Sequence, residues 1–200
     1  AVGAVTAVPI LRAFTLDPQE YLRPILSRVT SLETPLPGSP LGLFFNNLLA
    51  ALGLVTWSNR SSWVDSIPLR PAVDWLTAAL FILGIIITMV EYHKRKDWSL
   101  LALVVLYPVL LLPSVLSLAF PAENPSLSRA LGAALPVFML AALGLYTLGK
   151  AILAALSTKR RHIRVLLVGI VSIMILWQNS QAIFYTYPQT YRQNAWNPSE

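Results

Sequence analysis

The chain has 200 residues, 56% of them hydrophobic and 12% charged, and its mean hydropathy is +0.62, a balance that excludes a water-soluble domain and makes the bilayer the solvent that decides the fold. The absence of cysteine excludes disulfides, thiolate metal sites and cysteine nucleophiles, and the two histidines, His93 and His162, stand in separate basic clusters as solvated loop residues rather than as a metal box. The net charge of +6 lies mostly in two short runs, His93-Lys94-Arg95-Lys96 and Lys159-Arg160-Arg161-His162-Ile163-Arg164, each joining two apolar stretches. That placement is the positive-inside signal of cytoplasmic loops, and it argues against nucleic acid as a partner because neither run belongs to a polar domain able to dock a duplex.

In chain order, residues 1–11 are apolar but too few to span and lack the basic n-region of a signal peptide; they read as the end of a transmembrane helix that begins upstream. Residues 12–70 carry both signs of charge and many prolines, and are expected to form an extracytoplasmic segment with surface or re-entrant helices. Asp17 followed by Pro18 and Glu20 marks a helix start, and Tyr21, Leu22, Ile25, Leu26 and Val29 form one apolar stripe suited to a membrane surface or to the bundle. After the breaker at 35–40, residues 41–57 are long enough to span marginally. A surface or re-entrant helix is preferred, because Asn46 and Asn47 interrupt the run and a span there would put the next helix start on the wrong side relative to the basic loops. Trp57 and Trp63 bracket a polar turn that suits the interface, and Asn59-Arg60-Ser61 is a glycosylation triplet of the kind that arises often by chance.

Four spans are predicted at about 71–90, 98–120, 131–156 and 165–184, giving an all-α fold, a polytopic transmembrane helix bundle. Lys150 can snorkel from the inner end of the third, Pro108, Pro113 and Pro136 mark kinks or ends, and Ala151 with Ala155 forms a weak small-residue packing pair. Charge then sets the orientation: loops 93–97 and 157–164 cytoplasmic, residues 12–70, 121–130 and 185–200 extracytoplasmic. The chain carries no internal repeat and no matched pair of broken helices of the kind inverted-repeat transporters use.

The outer loop between the second and third spans concentrates Glu123, Asn124, Ser126, Ser128 and Arg129. A guanidinium fork beside the unpaired N–H groups of a helix start suits a phosphate or pyrophosphate. The same residues also suit a plainer role, an Arg129 to Glu123 pair with serine and asparagine caps that ends one helix and starts the next. The tail from Tyr185 to Asn197 is rich in aromatics and amides, a composition fit either for sugar rings or for an interfacial exit. Ser-His-Asp groupings, phosphate-cradling glycine loops and nucleotide-binding fingerprints are missing.

The stretch Glu123-Asn124-Pro125-Ser126-Leu127-Ser128-Arg129-Ala130-Leu131-Gly132-Ala133-Ala134-Leu135-Pro136, followed by residues 137–144, resembles the outer loop and "R-A-x-G-x-x-P" helix start of the GT-C class of polytopic bacterial glycosyltransferases. That class is related to the protein O-mannosyltransferases and the lipid A aminoarabinose transferases. Asn47-Leu48-Leu49, Leu52-Gly53, Trp57, Pro68, Pro71, Asp74 and the closing Tyr191-Arg192 and Asn194-Ala195-Trp196-Asn197 add matches in order along most of the chain. The resemblance implies transfer of a sugar from a polyprenyl-phosphate donor to a lipid, glycan or protein acceptor at the extracytoplasmic face. It implies no cofactor, the lipid-linked sugar phosphate being a substrate. It also implies that the catalytic acid lies in a first outer loop upstream of Ala1. This chain would then be the C-terminal part, inactive alone, with no catalytic residue of its own. Glu123, Asn124, Ser128 and Arg129 are the candidate substrate-binding residues. The family's extra proline before the helix is replaced here by Ala133-Ala134. The alternative is a non-enzymatic membrane module, a transporter subunit or assembly scaffold; a transporter would place polar groups deep in its spans, whereas here they gather at outer ends and loops.

Overall fold

The computed structural model describes residues 14–59, 66–96, 98–155 and 161–195, together with Val8 and Arg12. The expected helix end at 1–11, the triplet completed by Arg60 and Ser61, the Trp63 bracket, the basic residues before Arg161 and the closing Trp196-Asn197 lie wholly or mainly outside these residues. Among the described residues the chain is all-α, a helical bundle with four stretches long and apolar enough to cross a membrane: Trp75–Arg95, Trp98–Val115, Leu131–Ala155 and Val165–Tyr191.

The first helix, α1 (Pro18–Val29), starts as its sequence dictates: Asp17 accepts a hydrogen bond from the Glu20 N–H at 3.1 Å, and Pro18 occupies a position whose N–H would be unpaired anyway. Its apolar stripe is divided between exposure and partial burial. Ile25 and Leu26 are exposed, Leu22 and Val29 half-buried and Ser27 buried, and bonds to the segment after α4 run through the Arg28 side chain and carbonyl. The helix α2 (Pro40–Leu52), capped by Ser39, has 13 residues, about 20 Å at 1.5 Å per residue, which is short of the roughly 30 Å hydrocarbon layer. It lies along the second half of α4, and the chain beyond it returns through the Ala72 N–H to Leu54 carbonyl bond to the start of α3.

The spans are α3 (Trp75–Arg95), α4 (Trp98–Val115), α5 (Ala134–Ala155, preceded by the 3₁₀ turn Leu131–Ala133) and α6 (Arg161–Gln181). Asp74 caps α3 by accepting from the Thr77 N–H at 2.9 Å and its hydroxyl at 2.7 Å; at the other end Lys96, in a left-handed conformation, closes the helix on the Tyr92 carbonyl. Two boundaries differ from the sequence expectation. The helix α4 stops at Val115, not near 120, because Asn47 takes the carbonyls of Val115 and Ser117 and the Ala119 N–H turns to the Arg28 carbonyl. In contrast, α6 does not end near 184. It continues through a π-helical stretch, Ala182–Thr186, into α7 (Tyr187–Ala195).

Packing centres on α3 against α5. A Cβ at Gly84 would stand 2.0 Å from the Leu140 carbonyl oxygen, and one at Gly144 would stand 2.3 Å from that of Leu80, so the two helices meet backbone to backbone. Leu80, Phe81, Leu140 and Ala141 close around this crossing, and Tyr107, Leu111 and Val115 of α4 extend the core toward Ala51, Leu54 and Val55. The expected small pair Ala151 and Ala155 is exposed and makes no such crossing. Only 6% of the span in α6 is buried within the chain, against 33% for α3 and α5, so α6 turns most of its apolar side chains outward.

The crossing gives a direct expectation. Gly84→Ala forces one element away from the other and should lower the stability of the purified protein by about 1–3 kcal/mol, measured as thermal unfolding in detergent. Gly149→Ala, whose added Cβ meets nothing within 4 Å, should leave it unchanged or slightly raised. Equal effects at both positions would contradict the close crossing.

Candidate functional site

The segment from the end of α4 to the start of α5 is built in two tiers. The lower tier is buried and made of amides and hydroxyls. Ser114 donates to Asn124 Oδ1 at 2.6 Å and accepts from the Ser126 N–H at 2.9 Å; Asn124 Nδ2 donates to the Asn47 carbonyl at 3.0 Å, and Asn47 Nδ2 to the Val115 carbonyl at 3.0 Å. These bonds join α2, the end of α4 and the loop in a region where water cannot supply the missing partners, so each one holds the loop in place. Asn124 is 1% exposed with its amide oxygen and nitrogen both engaged. Of the four residues the sequence offers as ligand contacts, it is the one placed beneath the surface, as a strut.

The upper tier is charged and open. Glu123, in the 3₁₀ turn Pro121–Glu123, accepts at one carboxylate oxygen from Arg129 at 2.6 Å and from Arg28 at 2.8 Å. Arg129 also donates to the Ser117 hydroxyl at 2.9 Å, and the Arg28 guanidinium lies 4.3 Å above the centre of the Phe120 ring. The side chains keep 38% (Arg28), 45% (Glu123) and 28% (Arg129) of their surface exposed, and Ser128 is exposed beside them with its hydroxyl 3.0 Å from that of Ser126. The Arg129 to Glu123 pair of the plainer sequence reading is therefore present. It is not a closed pair, because two guanidiniums share one carboxylate and the cluster carries one positive charge in excess.

Arg28 is the residue that sequence reasoning missed. It lies 95 positions from Glu123, at the end of a surface helix, and nothing in local spacing points to it. Ser114 and Ser117 were hidden within an expected span, and Phe120 within its apolar end. The expected serine and asparagine caps are not what starts α5: Ala130 donates its N–H to the Ser126 and Leu127 carbonyls, and the 3₁₀ turn that follows has no side-chain cap. Among the described residues no group of three or more His, Asp or Glu side chains could hold a metal ion.

Partial burial alone would raise the Glu123 carboxyl, but the hydrogen bonds from Arg129 and Arg28, together with their charges, outweigh it and hold the group below its ordinary value of 4.5. A carboxyl depressed by folding adds stability above its unfolded pKa and loses it as pH falls through the folded value. The docking of α1 on the loop should therefore persist at pH 5 and weaken only well below pH 4.5. A distance measured between spin labels on α1 and the loop should report this, and Glu123→Gln should weaken docking already at pH 7 and remove its acid dependence. An acid transition that is unchanged in Glu123→Gln would contradict the assignment.

No family model, curated protein or solved structure matches this chain.

Proposed function

We propose that the chain belongs to a membrane glycosyltransferase of the GT-C type, which moves a sugar from a polyprenyl-phosphate donor to a lipid, glycan or protein acceptor at the extracytoplasmic face. The observation that carries the reading is the Arg28, Glu123 and Arg129 cluster: an exposed cationic excess on a rigid polar base, at one end of a bundle of membrane-spanning helices. In such a transfer the bond from the anomeric carbon to the phosphate oxygen breaks, and negative charge develops on the departing lipid phosphate. Guanidiniums fixed in advance next to that oxygen stabilise the charge without reorganising, and comparable donors contribute about 3 to 4 kcal/mol each.

The roles divide by environment. Arg129 and Arg28 are the phosphate contacts, Ser128 adds a hydroxyl at the rim, and Asn124 fixes the loop from below. Glu123 serves as the shared counter-charge. A carboxylate held below its ordinary pKa by two cations is a poor general base near neutral pH, so the acid or base of the reaction is assigned elsewhere. The non-enzymatic alternative gains less support, because the charged residues of α3, α4 and α5, namely Glu91, Lys94, Arg95 and Lys150, stand toward one end rather than along a path through the middle.

The test is sugar transfer from a polyprenyl-phosphate donor by the full-length protein in membranes. Arg129→Ala should lower the rate at least about tenfold, or about 1.4 kcal/mol of barrier, with membrane expression intact, and Arg129→Lys should recover part of it. Unchanged transfer in Arg129→Ala would remove the phosphate role and leave the cluster as a helix connector.

A further inference from the structure

A second polar site stands apart from the cluster and shares no residue with it. Between the segment that leads into α3 and the last turns of α6 lies a cavity of about 380 Å³, within the size range of small-ligand sites. Its polar lining comes from Ser66, Arg70, Asn179 and Tyr187, and its apolar wall includes Val73, Ala182 and Ile183. Arg70 is the cation of this lining, and its guanidinium has no carboxylate or hydrogen-bond partner among the described residues. The carboxylate nearest in sequence, Asp74, is not its counter-ion: it is 2% exposed and takes its bonds from Thr77 and from Asn179 Nδ2 at 3.1 Å. Among the described residues nothing compensates this half-buried guanidinium, so an anion in the cavity would gain a strong partner there.

Another part of the lining is also unusual. Ala182 and Ile183 belong to the π-helical stretch of the chain, where the Tyr187 N–H reaches back to the Ala182 carbonyl. Such wide turns widen a helix locally and frequently border functional sites.

We infer that this cavity holds the phosphodiester headgroup of a membrane phospholipid, with the phosphate on the Arg70 guanidinium, headgroup hydroxyls at Asn179 and Ser66, and the first methylenes along Val73, Ala182 and Ile183. The planar fork of arginine matches two phosphate oxygens at once. Depth supports a lipid over a soluble anion. Arg70 lies just before the first helix long and apolar enough to span, at the level where headgroup phosphates sit, and Ile183 of the lining is itself exposed, as are Phe184 beside it and Trp177 on the same apolar stretch. The inference does not depend on the proposed transfer reaction.

The test uses the whole chain purified in a neutral detergent, with thermal unfolding followed against dihexanoyl phosphatidylglycerol, a prenyl monophosphate and inorganic phosphate in separate titrations. Phosphatidylglycerol should stabilise the protein saturably. Arg70→Gln, and independently Ile183→Trp, which fills the cavity and keeps the charge, should each weaken that binding at least about tenfold, while Arg95→Gln at the opposite end should not. If Arg70→Gln fails to fold, Ile183→Trp decides. Wild-type affinity in both cavity variants, an equal effect from inorganic phosphate alone, or tighter binding of the prenyl monophosphate than of phosphatidylglycerol would each overturn the phospholipid assignment.

Discussion

The backbone contact of α3 with α5 at Gly84 and Gly144 fixes where every other part of the chain can stand. In a bilayer, helices gain little from hiding apolar side chains from one another, so close approach and the dispersion contacts it permits carry the association. With these two helices locked side by side, the start of α3 and the start of α5 lie at the same end of the bundle. The connection from α4 to α5 and the connection from α2 to α3 must then meet there.

What the crossing gathers, the buried amides hold. Asn47 satisfies carbonyls that the early stop of α4 would leave open, Asn124 ties the loop to the Asn47 carbonyl of α2, and Ser114 serves both Asn124 and the Ser126 N–H. Above this dry base the charges remain exposed and partly uncompensated. At the loop two guanidiniums share one carboxylate, a local excess of one positive charge.

Much of this was legible in the chain. Apolar runs near twenty residues long report the spans because a bilayer has one thickness, and Asp17-Pro18 and Asp74 report helix starts because capping is local. Glu123 and Arg129, six positions apart, could be read as a pair. The rest was hidden for physical reasons. Arg28 joins them through tertiary folding alone, and the early end of α4 depends on a side chain from α2. The helix continues past Gln181 and through Pro188 where the preceding π-helical turns relax the carbonyl ladder into which a proline ring would otherwise press. The glycines that matter for packing were indistinguishable in sequence from Gly149 or Gly169, which touch nothing.

The account rests on the polar loops lying together on the outer face, opposite the basic loop after α3. The chain has no cysteine, so a thiol placed at one position reports that position alone. Ser128→Cys and Lys94→Cys, both at exposed sites, can be labelled in intact cells with a membrane-impermeant maleimide. The account predicts that Ser128→Cys reacts in intact cells and that Lys94→Cys reacts only after the membrane is opened. Labelling of both from the same side, or of Lys94→Cys alone in intact cells, would contradict it.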